Sequence, residues 1–393
     1  MKTIIITGAF RFPEGDAAAK RVLGLGQMLR DLGYKVIFAG GEQVCNLSTN
    51  YFDGFEYHSL AELDNDYKGF KKVTGFFKRG NKRSLFVKNI LFKNTNIKAI
   101  ILYNSTFIEQ VKLSREVRKY SIPIIGDCTE WYESSHLPGG RFGPVAIDNF
   151  LKMKFGYPYL KNVIVISTFL QDWYRKYNMN VLRIPPLLLK GNSIALTEVK
   201  NQLLSTPNHS LKKLLYAGNP GKKDELEILI NILSETRFKK SFCINIIGVS
   251  KEDFLKYSPN ISISENVLFH GKMPHSEVLN FYAKSDFSVI LRENKRFAKA
   301  GFSTKLIESL SMGIPVLISD NGETREIILN DYNGVIIDSL DKLKIVESLE
   351  FIRNISDEQL FQMKQQALKS SLDFSQKKYL NAVKVFLDKI LIQ

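Results

Sequence analysis

Twice along its 393 residues the chain runs through one alternation: a short β-branched run, a glycine or polar turn, then a helical pattern. Runs of this kind that alternate with helices build parallel sheets covered on both faces. In the first half, Thr3–Thr7 leads through Gly8 and a loop holding Pro13 and Gly15 into a helical pattern over about residues 17–32. Gly33 stops that helix before the strand pattern 36–39. Further strands are expected at 99–102, 122–125 and 163–167. The second series begins at 213–217 and continues through 242–247, 267–269, 287–291 and 316–318. Between the two series lies Arg183-Ile184-Pro185-Pro186, a stiff extended segment suited to a linker. The expectation is an α/β protein of two Rossmann-like, doubly wound domains, residues 1–183 and 184–376, facing across a cleft. An amphipathic helix over 379–390 closes the chain in a third segment, 377–393.

The segment with most to say about chemistry runs from Leu291 to Glu326, LRENKRFAKAGFSTKLIESLSMGIPVLISDNGETRE. An apolar run closes at Leu291, Gly301 opens a turn, and Leu306, Ile307 and Leu310 give the next helix its buried face. The amides of Phe302, Ser303 and Thr304 then point out of the helix start. Such a terminus carries roughly half a positive charge together with unpaired donors, which suits a nucleotide's phosphates. Lys305 adds a full charge, and Glu308, one turn on, reaches back toward ribose hydroxyls. Gly313-Ile314-Pro315 ends the helix.

From Gly301 to Pro315, and again at Tyr332-Asn333-Gly334, this segment resembles the donor-binding motif of glycosyltransferase family 4. Members of that family have the two-domain GT-B fold and use nucleotide sugars with retention of configuration. The commonest form of the motif has two glutamates with seven residues between them. Here Glu308 stands at the second and Ala300 at the first, which touches the donor sugar, so sugar identity stays open. Arg292 matches the arginine-tipped strand of a subset of the family. In GT-B enzymes a C-terminal helix crosses back to the first domain, as expected for 377–393.

Glycosyl transfer requires charge to be stabilised on the departing diphosphate. The resemblance implies basic side chains and a helix N-terminus in this role, so neither a metal nor a cofactor is expected. Asp64-Asn65-Asp66 is the one Asp-x-Asp sequence, and with no apolar strand feeding it, it reads as loop. In Gly218-Asn219-Pro220-Gly221-Lys222-Lys223-Asp224, Asn219 replaces the family's arginine and Lys223 is preferred over Lys222 for the diphosphate. The donor-binding set is thus Gly15, Gly218, Lys223, Arg292, Gly301, Phe302, Ser303, Thr304, Lys305 and Glu308. The loop at Gly15 lacks the Gly-x-Gly-x-x-Gly of dinucleotide enzymes. Gly126-Asp127-Cys128-Thr129-Glu130-Trp131-Tyr132, followed by His136, is a second polar cluster at a strand end. Asp127 or Glu130 could orient or deprotonate an acceptor hydroxyl while Trp131 and Tyr132 stack on a sugar. Equally, Asp127 could cap a helix and Trp131 belong to the core. The catalytic candidates are Lys223, Arg292, Glu130 and Asp127, whereas His270 and His275 read as structural.

The net charge is +15, and it is concentrated: residues 68–98 hold ten Lys or Arg and no acid, interleaved with Phe70, Phe76, Phe77, Phe86, Leu91 and Phe92. An anionic membrane suits this pattern, since each basic residue near an anionic leaflet contributes up to about 1 kcal/mol. A solvated helix whose aromatic side is buried is the other reading; nucleic acid has no accompanying motif. No apolar run approaches the roughly 20 residues of a membrane span, and Met1-Lys2 leads into a strand. Cys45, Cys128 and Cys243 are far apart and read as buried thiols of a cytosolic chain. Together these features lead to a metal-independent, retaining glycosyltransferase that moves a hexose or N-acetylhexosamine, UDP-linked, to a glycan or lipid-linked acceptor. Its expected place is the inner face of the cell membrane, in capsule, exopolysaccharide or lipopolysaccharide assembly, by analogy. The alternatives are a GT-B nucleotide-sugar epimerase and a non-catalytic nucleotide-binding subunit.

Overall fold

A computed structural model of the chain describes residues 1–13, 16–41, 49–60, 75, 78–93, 96–189, 211–221 and 223–391. Gly15, Cys45, the Asp64–Asp66 sequence, Phe70, Phe76, Phe77, Lys222 and the His136 side chain lie outside the described residues. The chain divides into two units. One comprises Met1–Lys190, Ala300–Phe302 and Ser375–Gln393; the other comprises Gly191–Lys299 and Ser303–Phe374.

The first unit is built on eight strands: β1 (Thr3–Gly8), β2 (Lys35–Gly40), β3 (Asn50–Phe52), β4 (Phe55–Ser59), β5 (Ile97–Tyr103), β6 (Ile124–Cys128), β7 (Asn162–Val165) and β8 (Asn180–Arg183). They lie in the order β3-β4-β2-β1-β5-β6-β7-β8, parallel throughout except for the β3–β4 pair. Central β1 is buried along its whole length, which explains its unbroken apolar run. On one face Ile4 and Ile6 pack with Val22 and Met28 of the helix Ala17–Asp31 and with Val383 and Leu387 of the helix Gln376–Leu391. The last helix is pinned where it starts: the buried Gln376 amide donates to Gln27 Oε1 at 2.6 Å and to the Leu188 carbonyl at 3.2 Å. The opposite face, with Ile5, Ile100 and Leu102, carries the helices Asn81–Lys93 and Phe107–Val117 and the helical segment from Pro144 to Leu160.

The helix Asn81–Lys93 refines the reading of the basic stretch. Its Val87 and Leu91 are core residues, Phe86 lies against His58 with ring centroids 4.9 Å apart, and Arg83 is fully buried. Arg83 Nη1 reaches Glu109 Oε1 at 2.6 Å and its Nε donates to Thr7 Oγ1 at 3.0 Å. Part of the charge–aromatic interleaving is therefore packing. Phe92 remains exposed.

The second unit has six parallel strands: β9 (Lys212–Ala217), β10 (Phe242–Ile247), β11 (Val267–Gly271), β12 (Phe287–Ile290), β13 (Val316–Ser319) and β14 (Gly334–Ile337). Their order is β11-β10-β9-β12-β13-β14. After β9 the chain adds strands first on one side and then on the other. The carboxyl ends of β9 and β12 therefore flank the point where winding reverses, the usual ligand position in open α/β sheets. Each unit is thus a doubly wound parallel-sheet domain. Among the described residues no helix is long and apolar enough to cross a membrane.

Leu387 is almost fully buried in the seam between the first and last helices. Replacing it with alanine should cost the first unit about 2–5 kcal/mol. Urea unfolding followed by circular dichroism would register this as an earlier transition.

Candidate active site

At the winding reversal of the second unit, β9 ends in Tyr216-Ala217 and passes into Gly218. The glycine has φ +141°, and a Cβ there would come within 2.8 Å of Lys305 Cε. A side chain at 218 would displace Lys305, so glycine is required by both conformation and space. The following turn is stitched to β12: the Glu225 amide donates to the Leu291 carbonyl at 2.8 Å, and Asp224 forms a bridge with Arg292. Arg292, one residue beyond the Leu291 carbonyl, is fixed to β13 through Ser319 Oγ, which accepts from its amide and donates to its carbonyl, both at 2.7 Å.

These constraints converge on one buried carboxylate. Asp224 Oδ1 accepts from Arg292 Nε at 2.6 Å, and Oδ2 accepts from Lys305 Nζ at 2.5 Å and Tyr216 Oη at 2.5 Å. Lys305 Nζ also donates to Tyr216 Oη at 2.8 Å. Burial opposes ionisation of Asp224, but Lys305 and Arg292 outweigh it and hold the carboxyl at about 2. Lys305 lies below its ordinary value, because burial and the neighbouring Arg292 together exceed the pull of Asp224. Burial and the adjacent carboxylate drive the Tyr216 hydroxyl well above the phenol range, so it stays a donor. One carboxylate between two cations leaves one positive charge in excess, oriented by contacts already made. Such a group attracts an anion without having to reorganise.

The helix Thr304–Ser311 begins beside this cluster. Ser303 is its N-cap residue, yet makes no capping hydrogen bond from its side chain. Its hydroxyl is buried and has no hydrogen-bond partner among the described residues. A buried hydroxyl at the start of a helix, next to first-turn amides without intrahelical acceptors, fits a phosphate oxygen. Thr304 and Lys305 open that first turn, and Glu308 follows one turn on, with His275 Nε2 3.7 Å from its Oε1. Lys223 is half-buried in the turn after β9, its amide donating to the Pro220 carbonyl at 3.1 Å. His270 Nε2 is 2.8 Å from Asn245 Oδ1, and burial lowers its basicity. Ala300 is fully buried; with Gly301 and Phe302 it groups with the first unit.

In the first unit the carboxyl end of β6 corrects two expectations. Asp127 is fully buried, and both its oxygens are taken by Arg21: Nε lies 3.2 and 3.0 Å away, and Nη2 is 2.6 Å from Oδ1. Arg21 Nη1 also donates to the Ile184 carbonyl at 2.9 Å. A carboxylate so enclosed ties the first helix to the sheet and is not presented to an acceptor hydroxyl. Trp131, offered as a sugar platform, is a core residue packed edge-on against Trp173, with centroids 4.8 Å apart. Glu130 and Tyr132 are only half-buried. Cys128 is buried and its thiol is pushed up to about 12 by that burial, while Cys243 is half-buried; both are free.

Residues 204–370 match the family model described as glycosyl transferases group 1. Sucrose-phosphate synthase from Thermosynechococcus elongatus superposes with a TM-score of 0.74 at 13% identity, over 100% of both chains. The catalytic domain of starch synthase IV from Arabidopsis thaliana, bound to ADP and acarbose, gives 0.70 at 13% identity, again over 100% of both. Anabaena HepE in complex with UDP gives 0.63 at 13% identity, over 99% of this chain and 100% of that one. No curated protein matches the chain in sequence. The chain is a glycosyltransferase with the GT-B fold. Sequence reading missed two parts of this glycosyltransferase's cluster, Asp224 and Tyr216. Both stood in the loop and strand already singled out, but their partners lie up to 89 residues away. Arg21 was likewise missed, since only the folded chain brings it to Asp127.

Asp224→Asn should leave Lys305 and Arg292 without their counter-charge and lower stability by about 3–5 kcal/mol. The native carboxyl, at about 2 against an ordinary 3.8, contributes fully above pH 4 and loses that contribution as pH falls through 2. Thermal melts from pH 6 to 2 should therefore fall less steeply in the Asn variant than in the native protein. Parallel curves would assign the acid sensitivity elsewhere.

Proposed function

We propose that the glycosyltransferase moves a hexose or N-acetylhexosamine from a UDP-linked donor to a glycan or lipid-linked glycan, with retention of configuration and without a metal ion. The observation that carries this reading is the surplus positive charge of the Asp224–Lys305–Arg292 cluster beside the unpaired Ser303 hydroxyl. Both lie where the second sheet reverses its winding, and together they supply the charge and the donors that a diphosphate needs. Support for uridine comes from HepE, which binds UDP and, in another structure, UDP-glucose. Support for family 4 and for retention comes from the Gly301–Pro315 motif.

In this mechanism the bond from the sugar's anomeric carbon to the β-phosphate oxygen breaks as the acceptor oxygen bonds to that carbon on the same face. The acceptor's proton passes to the departing phosphate oxygen, so no protein nucleophile is required. Arg292, Lys223 and the first-turn amides of Thr304 and Lys305 stabilise the charge growing on the diphosphate. Lys305 acts through both its amide and its ammonium, the latter held by Asp224. Glu308 meets the ribose, and Gly218 leaves the space that Lys305 fills. Glu130 is the remaining carboxylate candidate on the acceptor side, and Asp127 is a positioning residue through Arg21. An acceptor anchored in the inner leaflet, as in capsule or lipopolysaccharide assembly, is consistent with the basic first unit.

Thermal shift with UDP, GDP, ADP and CMP tests the donor assignment. UDP at about 100 times its dissociation constant should add about 2.7 kcal/mol of stability. The shift should survive EDTA and vanish in Glu308→Ala. A shift confined to another base would overturn the uridine assignment, and an EDTA-sensitive one the metal independence. In transfer assays Arg292→Ala should lower kcat by about 10²–10³-fold, the usual cost of one preorganised donor to developing negative charge. An unchanged kcat would remove Arg292 from leaving-group stabilisation.

A further inference from the structure

In the first unit, the run Pro144–Leu160 is an α-helix, then a π-helical turn at Lys152–Gly156, then a last α-helical turn. Its buried side, with Met153, Tyr157 and Leu160, joins the core. Its outer side is apolar as well: Ile147, Phe150, Phe155 and Tyr159 are 49%, 52%, 57% and 62% exposed. Their spacing of three, five and four residues would not align on a regular α-helix. The wide π turn brings residues five apart into line, and Phe150 and Phe155 accordingly meet with ring centroids 6.2 Å apart. A helix apolar on both sides here has one side without a partner among the described residues.

Positive charge prevails around this stripe at the surface. Asp148 is the only acid between residues 141 and 161, and it is buried, accepting from the Phe107 amide at 3.0 Å. Arg141 and Lys161, at the two ends of the run, are exposed. Phe107–Val117 packs directly against this run, with Lys112 and Arg115 beside a half-buried Glu116 and its other acid, Glu109, buried; Asn81–Lys93 packs against Phe107–Val117, on the same side of the sheet. Asn81–Lys93 contains no acid and exposes Leu85 and Phe92, at 57% and 85%, among Lys82, Lys88 and Lys93.

We infer that the outer side of this helix layer, centred on Phe150, Phe155 and Tyr159, is a docking surface for an anionic lipid bilayer. Aromatic and aliphatic tips enter the interfacial region while the flanking Lys and Arg meet anionic headgroups. Charge selects this occupant: a second copy docking through the same face would bring positive charges together. Ile147 and Leu85 have no π face for a nucleic-acid base, but both suit an acyl boundary. This surface differs from the basic stretch 68–98, although the helix Asn81–Lys93 belongs to both. It rests on the proposed function only in assuming an acceptor at the membrane.

The test is flotation of the full-length protein with vesicles of phosphatidylcholine and phosphatidylglycerol in equal parts, and with phosphatidylcholine alone. Binding should occur with the anionic vesicles only. It should weaken as salt rises from about 0.1 to about 1 M, which shortens the screening length from about 10 to 3 Å. The triple variant F150S/F155S/Y159S should lose roughly tenfold or more in partitioning, with its melting temperature and its UDP shift retained. Phe150→Leu with Phe155→Leu should keep most of the binding, and R141E/K161E should lose much of it. Equal binding to neutral vesicles, an unaffected triple variant, or a dimer in light scattering that the triple variant dissolves would each overturn the assignment. Transfer to a water-soluble acceptor without vesicles reports on the glycosyl-transfer reading separately, so the two can fail independently.

Discussion

One buried carboxylate organises the second unit's loop ends. Asp224 receives Arg292 from the end of β12, Lys305 from the first turn of a helix and Tyr216 from the end of β9. Burying a carboxylate alone would be prohibitive, and two cations brought together without it would repel. Each element is therefore held where it is by the requirements of the others. The surplus charge that results belongs to the cluster as a whole, and no single residue type reveals it.

The first unit repeats the device with different parts and to a different end. One of its buried carboxylates, Asp127, has one guanidinium, and the pair is neutral. Arg21 satisfies both carboxylate oxygens and spends a further donor on the Ile184 backbone. Neutral and closed, this pair fastens a helix to a sheet; charged and bordered by an unpaired hydroxyl, the Asp224 cluster invites a ligand. Glycines follow the first strand in both units for a common reason. Gly8 and Gly218 have φ +151° and +141°, and a Cβ would strike the Tyr103 backbone at the first and the Lys305 side chain at the second.

Inner strands were legible in sequence because they are buried on both faces and read as largely apolar runs, as with β1 and β13. β3, β4, β8 and β14 were not: all lie at or next to the sheet edges, and the first three carry Asn50, Glu56, His58, Asn180 and Arg183, which resemble loop. The helix start at Ser303 followed from local pattern, while Gly218 and Arg292 were singled out through the family resemblance. What could not be read was pairing across the fold. Nothing near Asp127 marks it as the partner of Arg21, 106 residues away, and nothing in Trp131 distinguishes a stacking platform from a core ring.

The π turn at Lys152–Gly156 has a consequence for comparing this chain with others. It accommodates one residue more than an α-helical turn of the same span, so a relative lacking that residue would carry everything after it rotated by about 100° about the helix axis. Tyr159 would then leave the line of Phe150, and the core contact of Tyr157 would swing away with it. Selection on the inner side and on the outer side of this helix is thereby coupled through the length of the segment. Insertions and deletions here should be far rarer than substitutions, and the register of the turn is a better marker of a shared outer surface than the identity of any residue on it.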